Sequence, residues 1–200
     1  MTDRDVILVK PGITFSQPVN AIFTKLPTTQ LGGTGPRVQI KRGYATVQVT
    51  FPHAMGNASF VFGNSHLEVG QDLLKVFQES QADELVRLMR PVSGPVVLLG
   101  DFNSPADRKG TRSYGLLRGL FEDPYADLKP GELGYTCCID IYAGDPAAAR
   151  SRIDLVLTRG DITPLEASVV GVERKTAAGV SASDHLGVVM TLGLVPDSAR

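Results

Sequence analysis

The sequence lacks several features that mark particular classes of protein. It contains no tryptophan, and its only two cysteines are neighbours, Cys137 and Cys138. Two adjacent cysteines cannot build a four-cysteine zinc site, and a disulfide between neighbours needs an unusual geometry. We therefore expect two free thiols in a strand or a loop.

The sequence has no large excess of positive or negative charge, and it has no long apolar run. Acidic and basic residues nearly cancel, with a formal net charge of -1, which excludes binding to nucleic acid through sheer positive charge. No apolar run approaches the roughly 20 residues that cross a bilayer, so no transmembrane segment is predicted. Residues 1–5 are polar and do not begin a signal peptide. We expect a soluble chain, and both a cytoplasmic and a secreted parent protein remain open.

What the sequence does contain is a globular pattern. Its 200 residues, 42% of them hydrophobic, predict one domain over residues 1–200 with a sizeable core. Periodicity predicts a helix over Gln71–Arg90 and a weaker one over Tyr114–Phe121. Their alternation with strands predicts a layered α/β fold. Short apolar runs between turn residues predict strands at 6–9, 19–26, 44–51, 59–64, 96–99, 153–157, 168–172 and 186–192.

Short polar signatures lie at the ends of these apolar runs. They are Gly-Asp-Phe-Asn at 100–103, Arg-Ile-Asp at 152–154, Ser-Asp-His at 183–185 and Asn-Ser-His-Leu at 64–67. The ends of strands are where scaffolds present binding and catalytic groups. The four signatures are therefore candidates for a single functional site.

Hydrolysis of a phosphodiester requires a nucleophilic water, a clamp on the phosphate oxygens and stabilisation of the leaving oxygen. Asp101 has a carboxylate that can orient or deprotonate water, and Asn103 has an amide that can donate to phosphate. His185 can move protons near neutral pH if a partner fixes its tautomer, and Asp154 is the natural partner. His66 offers a second imidazole for the phosphate. The residues therefore match a phosphoesterase site.

Metal binding and structural alternatives follow from the same residues. Asp184 suits a hard cation, because Mg²⁺ prefers one or two carboxylates with waters. Taken singly, the aspartates can instead cap turns, and the histidines can be structural. Glu68 is expected at the surface rather than on a metal. The three basic residues within 106–112 fit either a solvated loop or a guide for polyanions.

The ordered set of four signatures resembles the endonuclease/exonuclease/phosphatase family, which includes pancreatic deoxyribonuclease, abasic-site endonucleases, neutral sphingomyelinases and inositol-polyphosphate 5-phosphatases. The resemblance implies a deoxyribonuclease-like, four-layer α/β/β/α sandwich and divalent-metal hydrolysis of phosphate esters. The cation it implies is Mg²⁺ or Mn²⁺. The metal ligands that it implies are Asp184, Asp101 and Asn103.

The resemblance also implies catalytic roles. His66 becomes a contact to phosphate, Asp101 the acid that orients water, and Asn103 a ligand of phosphate or of the metal shell. His185 becomes the histidine beside the scissile phosphate, and Asp154 supports it. These roles agree with those suggested by the residue chemistry.

One part of the family pattern is not recognisable before His66. Family members carry an earlier strand ending in Asn and another ending in Gln-Glu, whose glutamate is a principal metal ligand. The sequence therefore predicts an N-terminally truncated version of the fold. We expect a divalent-metal-dependent, endonuclease-like phosphodiester hydrolase, and the alternative is a non-catalytic remnant or a module that binds a phosphate ligand. The expected substrate is a phosphodiester, with nucleic acid, a phospholipid headgroup and an inositol phosphate all open.

Overall fold

The structure is a computed structural model that describes residues 5–30, 32–52, 56–142, 148–171 and 176–199. Within these ranges the chain forms a mixed α/β fold, as the sequence predicts. The helices are α1 Lys75–Met89, α2 Ser113–Arg118 and α3 Pro124–Leu128. The strands are β1 Thr14–Phe15, β2 Val19–Ile22, β3 Thr28–Gln30, β4 Arg37–Gln39, β5 Gly43–Phe51, β6 Ala58–His66, β7 Val96–Asp101, β8 Asp154–Arg159, β9 Ile162–Val170 and β10 Gly187–Leu194.

A six-stranded sheet organises the described residues. Its order is β1-β5-β6-β7-β8, and β2 also pairs with β5, while β3–β4 and β9–β10 form separate two-stranded sheets. β6 and β7 run parallel and are connected through α1, and β8 is antiparallel to β7. Parallel strands need a long crossover connection, which α1 provides. The ends of β6 and β7 consequently lie at the same edge of the sheet.

The main core lies between this sheet and helices α1 and α2. Leu98 of β7 and Leu157 of β8 are fully buried against Leu85 of α1 and Leu117 of α2. The stripe that α1 buries consists of Gln78, Gln81, Ala82, Leu85, Val86 and Met89. Leu88 of the same helix is 38% exposed, whereas Gln78 and Gln81 lie on the buried face beside the apolar residues.

Two strand predictions need correction. The apolar run at 6–9 is not a strand; it lies over the sheet beside Phe60 and Phe62 and lines a groove there. The run predicted at 168–172 belongs to the longer strand β9, which begins at Ile162, and Val172 lies outside the described residues. The start of this strand was missed because it contains Pro164, a residue that usually argues against a strand. The pairing of β9 with β10 is irregular next to Pro164, and strands tolerate proline at such bulges.

Helix α3 was absent from the sequence-based prediction. It has only five residues, with Pro124 in its first turn, and its N-cap residue Asp123 accepts a hydrogen bond from the Ala126 amide at 3.4 Å. A helix this short shows no apolar period, so only its capping residue and proline signal it. Within the described ranges, no helix combines the length and apolarity that crossing a membrane would need.

Candidate active site

Three strand ends and one loop bring the predicted residues to a single edge of the main sheet. The Leu67 amide, just after β6, donates to the Asp101 carbonyl at 3.0 Å, and Asp101 pairs directly with Asp154 across β7 and β8. His185 precedes β10 and forms an isolated bridge with Cys137. The sheet register, rather than proximity in sequence, therefore assembles the four signatures.

Gly100 allows β7 to reach this position. Its φ is +147°, and a Cβ atom at this position would collide with the backbone carbonyl of Ser65 in β6. Glycine is consequently required for close approach of the two strand ends, because any side chain would push them apart. The glycine of the Gly-Asp-Phe-Asn signature thus acts through strand packing.

Asp101 and Asn103 form a local turn that also presents both side chains. The Asn103 amide donates to Asp101 Oδ1 at 2.8 Å, and Asn103 has φ +50°. Its side-chain Nδ2 donates to the Leu67 carbonyl at 2.9 Å, and Gln78 Nε2 donates to the Asn103 carbonyl at 2.7 Å. The turn that the sequence offered as an alternative is therefore present, and it holds Asp101 Oδ2 toward His66.

His66 lies between a carboxylate and a guanidinium. Its Nε2 is 3.3 Å from Asp101 Oδ2 and 3.3 Å from Asn103 Nδ2, while its Nδ1 is 2.9 Å from Arg42 Nη1. Because a guanidinium only donates hydrogen bonds, Nδ1 accepts from Arg42. The proton of the ring is then on Nε2, which faces Asp101. Arg42 had no sequence signal, since it lies 24 residues before His66.

Glu68 is buried behind this histidine, which corrects the expected surface position. It is 1% exposed, and its Oε1 accepts from the Val69 amide at 3.0 Å and lies 3.9 Å from Arg42 Nη2. Its backbone amide donates to Gln81 Oε1 at 2.8 Å. The sequence could not show this, because the burying residues come from α1.

His185 is held by Asp154, as predicted. Its Nδ1 lies 2.9 Å from Asp154 Oδ2. The hydrogen bond to Asp154 raises the pKa of His185 to about 9, against the opposing effect of burial, and the negative charges of Asp154, Asp101 and Asp184 add to the rise. The imidazole is therefore a cation at neutral pH when no metal ion is nearby.

Thr136 positions the residue that holds His185. Its side chain is fully buried, and its Oγ1 accepts from the amides of both Ile153 and Asp154 at 3.2 Å. Its carbonyl accepts from the Leu186 amide at 2.7 Å. This threonine thus ties the start of β8 to the residue after His185. Only its place beside the two cysteines drew attention to it in the sequence.

Behind β8, Arg152 forms a buried ion pair with Asp123. Its Nη1 and Nη2 donate to the two oxygens of Asp123 at 3.1 and 2.7 Å, and Tyr114 Oη donates to Asp123 at 2.7 Å. Burial alone would raise the pKa of Asp123, but the hydrogen bonds and charge of Arg152 make the net direction downward. Burial and Asp123 raise the pKa of Tyr114 to about 12. Arg152 of the Arg-Ile-Asp signature therefore anchors the strand.

The donor set at the sheet edge fits a hard divalent cation. Single ligand atoms of Asp101, Asp154 and His185 lie within 4.8 Å of one another. One or two carboxylates with several waters are the environment that Mg²⁺ accepts. Asp184 is exposed beside His185 and is not part of this group, so the structure brings together the other predicted residues more closely than it does Asp184.

The two cysteines differ from the expectation. Cys137 and Cys138 are joined in a disulfide, where two free thiols were predicted. The bond forms in the segment between Thr136 and Ile139, whose ends are fixed by hydrogen bonds to Ser151, Asp184 and Leu186. These long-range contacts, which the sequence does not reveal, set the two side chains side by side.

Comparison with known proteins fits this arrangement. A model of the endonuclease/exonuclease/phosphatase family matches residues 7–185. The chain belongs to this family. The match confirms the family membership that the four signatures implied. Members of the family hydrolyse phosphoesters, usually with divalent metals. A search of curated proteins finds no match.

Solved structures of family members share the fold. Zebrafish TDP2, solved with a single-strand DNA product, is 21% identical, with a TM-score of 0.69 over 90% of this chain and 68% of that one. The human nocturnin catalytic domain, solved with a sulfate anion, is 14% identical, with a TM-score of 0.59 over 92% and 60%. A family protein from Bacteroides thetaiotaomicron is 17% identical, with a TM-score of 0.65 over 90% and 63%. These likenesses confirm the deoxyribonuclease-like fold class.

Proposed function

We propose that this chain hydrolyses phosphodiester bonds with a divalent cation, Mg²⁺ or Mn²⁺, at the sheet edge formed by Asp101, Asp154 and His185. The observation that carries the proposal is the convergence of these three side chains within 4.8 Å, with His66 3.3 Å from Asp101. Four separate segments contribute to one polar cluster. Such a cluster combines the acid, the cation site and the proton donor that the reaction requires.

Each side chain has a role that follows from its partners. Asp101 orients the attacking water, because one of its oxygens is fixed by the Asn103 amide and the other faces the open edge beside His66. His185, held as a cation by Asp154, donates to the phosphate and stabilises the negative charge that builds on it. His66, whose Nε2 lies 3.3 Å from Asp101 Oδ2, contacts the phosphate next to Asp101. Water activation and charge stabilisation are thereby assigned to different groups.

A divalent cation at this edge would be held by the carboxylates of Asp101 and Asp154, with Asp184 and Asn103 as further ligands expected from the sequence. It would supply charge stabilisation to the phosphate oxygens. Oxygen donors of this kind favour Mg²⁺ and Mn²⁺ over softer metals. Asp184 is exposed and adjacent to His185, so its carboxylate is available for this role. Asn103 donates from its side-chain nitrogen, Nδ2, to the Leu67 carbonyl, which leaves its side-chain oxygen, Oδ1, for a cation.

Nucleic acid is the first substrate class to test. TDP2, a structural neighbour, was solved with a single-strand DNA product, and the exposed loop over 106–112 carries basic side chains. Two of these are engaged: Lys109 lies 3.4 Å from Asp107, and Arg112 donates to Glu79 at 3.2 Å. The loop therefore supplies little free positive charge, and small diesters belong in the same assay.

The test is hydrolysis of bis-p-nitrophenyl phosphate and plasmid DNA with Mg²⁺, Mn²⁺ or a chelator. Asp101→Asn removes one carboxylate charge at the site with little change in volume. The matched control is Asp83→Asn, on the exposed face of α1, where Asp83 pairs with Arg87. We expect turnover that requires the cation, survives in the control and is lost in Asp101→Asn. Equal turnover in the two variants would remove Asp101 from the mechanism.

A second candidate is a module that binds phosphate ligands without turnover. Among the residues that the structure describes, the group of possible metal ligands without disulfide-bonded cysteines, Asp101, Asp154 and His185, contains no glutamate, which favours weak cation binding. This candidate predicts no hydrolysis above the blank, together with saturable binding of inorganic phosphate that His185→Gln weakens. Cation-dependent hydrolysis by the purified chain would exclude it.

A further inference from the structure

The disulfide lies directly against the catalytic imidazole. Cys137 pairs with His185 through an isolated backbone bridge, and ligand atoms of Cys137, Cys138 and His185 lie within 4.8 Å of one another. His185 therefore belongs to two groups at once: one with the carboxylates Asp101 and Asp154, and one with the two sulfur atoms. A single imidazole cannot serve both groups fully.

The two groups differ in the metals that they select. Carboxylates and waters suit Mg²⁺ and Mn²⁺, whereas thiolates with an imidazole suit Zn²⁺ and its soft relatives. Zn²⁺ sites with two cysteines and one histidine leave a fourth position open for water. The sulfur group would thus form a different kind of site, next to the first one and sharing His185 with it.

His185 already has the hydrogen-bond partner that zinc-binding histidines usually have. Its Nδ1 is bound to the Asp154 carboxylate at 2.9 Å, which leaves Nε2 as the remaining nitrogen. A carboxylate on one ring nitrogen fixes the tautomer and increases the basicity of the other, and this carboxylate–histidine–zinc arrangement recurs in zinc sites. The partner that prepares His185 for phosphate therefore also prepares it for a soft metal.

Only the reduced cysteines can be ligands. A disulfide has no thiolate, so the S–S bond must first be broken by a thiol or phosphine reductant. With a dithiol, the reductant forms its own disulfide and two protons and two electrons pass to the cysteines, which become thiols. Cys138 is exposed while Cys137 is 1% exposed, so the reductant has access through Cys138. Zn²⁺ then replaces the two thiol protons and the Nε2 proton of the His185 imidazolium, and all three protons pass to solvent.

We propose that reduction of the Cys137–Cys138 disulfide creates a Zn²⁺ site composed of both thiolates and His185. Zinc binding at this site withdraws His185 from the phosphate, so it inhibits hydrolysis. The inhibitory part rests on the function proposed above, but the binding of zinc does not.

Zinc binding is measured first, without any activity assay. The full chain is reduced with a phosphine, which yields two thiols and a phosphine oxide with one water consumed, and Zn²⁺ is titrated in competition with a chromophoric chelator. We expect the reduced chain to bind one Zn²⁺ more tightly than any Zn²⁺ bound by the oxidised chain, in which the carboxylate group of Asp101, Asp154 and His185 is still present. Co²⁺ in place of Zn²⁺ should give the near-ultraviolet charge-transfer absorption of cobalt–thiolate bonds. Equal binding by oxidised and reduced chains would overturn the proposal.

Variants test which residues are ligands. Cys138→Ser and His185→Gln should each weaken Zn²⁺ binding at least about 10-fold. His66→Gln is the matched control, because it removes the other imidazole of the site and should leave the affinity unchanged. The chain has no cysteine beyond these two, so thiol titration counts the ligands directly. Unchanged affinity in His185→Gln would assign the metal to the two thiols alone and overturn the three-ligand site.

An assay of hydrolysis distinguishes failure of the zinc site from failure of the proposed phosphodiesterase function. If the chain hydrolyses bis-p-nitrophenyl phosphate with Mg²⁺, one equivalent of Zn²⁺ should inhibit the reduced chain much more than the oxidised chain, and a chelator should restore the activity. If no turnover occurs at all, the proposed function fails, but the zinc titration still decides the site. Inhibition of both redox forms to the same extent would contradict the withdrawal of His185.

Discussion

The two histidines at the sheet edge differ in the group that binds their Nδ1 atom. His185 is bound by a carboxylate, Asp154, at 2.9 Å, and His66 by a guanidinium, that of Arg42, at the same distance. The carboxylate favours the cationic ring, and the guanidinium fixes which nitrogen of the ring carries the proton. Histidine is therefore used here for two tasks: His185 supplies positive charge, and His66 supplies a directed hydrogen bond.

The support behind each histidine differs as well. On the His185 side, Arg152 and Asp123 form a buried pair with bonds of 2.7 and 3.1 Å. On the His66 side, Arg42 and Glu68 lie 3.9 Å apart, and the buried Glu68 Oε2 has no hydrogen-bond partner among the residues that the structure describes. The support on the His185 side therefore has the shorter ion-pair contacts, and substitutions there should cause the larger losses of turnover and of stability.

The largest expected effect concerns turnover. His185→Gln should lower cation-dependent hydrolysis by about 10²- to 10⁴-fold, the range for a positioned proton donor, because Asp154 holds His185 as the cationic donor of the site. His66→Gln should cause a loss toward the lower end of that range. Initial rates on bis-p-nitrophenyl phosphate check the order. A greater loss in His66→Gln would reverse the assignment of tasks.

Next in size is the stability of the two supports. Arg152→Met should lower the free energy of unfolding by about 3–5 kcal/mol, because it leaves Asp123 buried and uncompensated. Arg42→Met should cost less, about 1–3 kcal/mol, since its carboxylate contact is longer. Arg87→Met, on an exposed pair, is the control at about 0–1 kcal/mol. Urea unfolding measures all three, and equal costs for Arg152→Met and Arg42→Met would contradict the comparison.

The third effect is on the titration of His185. In the presence of a chelator, Asp154→Asn should lower the pKa of His185 from about 9 toward the ordinary value of roughly 6.5, because the main cause of the rise is removed. Imidazole proton resonances followed by NMR against pH give the value. A pKa that stays near 9 in the variant would assign the rise to other charges.

The smallest effect is the pH dependence of stability. The pKa of His185 is raised in the folded state, so its contribution is complete below the unfolded value of roughly 6.5 and is lost as pH rises through about 9. It is on the order of 1–3 kcal/mol. Chelated wild type should therefore lose stability between these pH values relative to His185→Gln. Parallel stability curves for the two proteins would count against the Asp154 contact.

Much of the fold and site follows from the sequence, because local patterns and signature residues carry it. Continuous apolar residues at 96–99 predicted the buried strand β7, and Asp101, Asp154 and His185 meet as their positions at strand ends suggested. The run at 6–9 failed as a strand, because an apolar run needs a pairing partner that sequence does not show. The sequence did not predict the roles of Arg42 and Thr136 or the disulfide, because their surroundings come from segments that are distant in sequence.

Whether a divalent cation lies beside Asp101, Asp154 and His185 is tested most directly by adding Mn²⁺ to the chain and observing the histidine resonances. Paramagnetic Mn²⁺ should broaden the His185 signals at substoichiometric amounts in wild type, and Asp101→Asn should require far more ion for the same broadening. Asp83→Asn should behave as wild type. Sharp His185 signals in wild type at saturating Mn²⁺ would contradict a metal-dependent active site at this edge of the sheet.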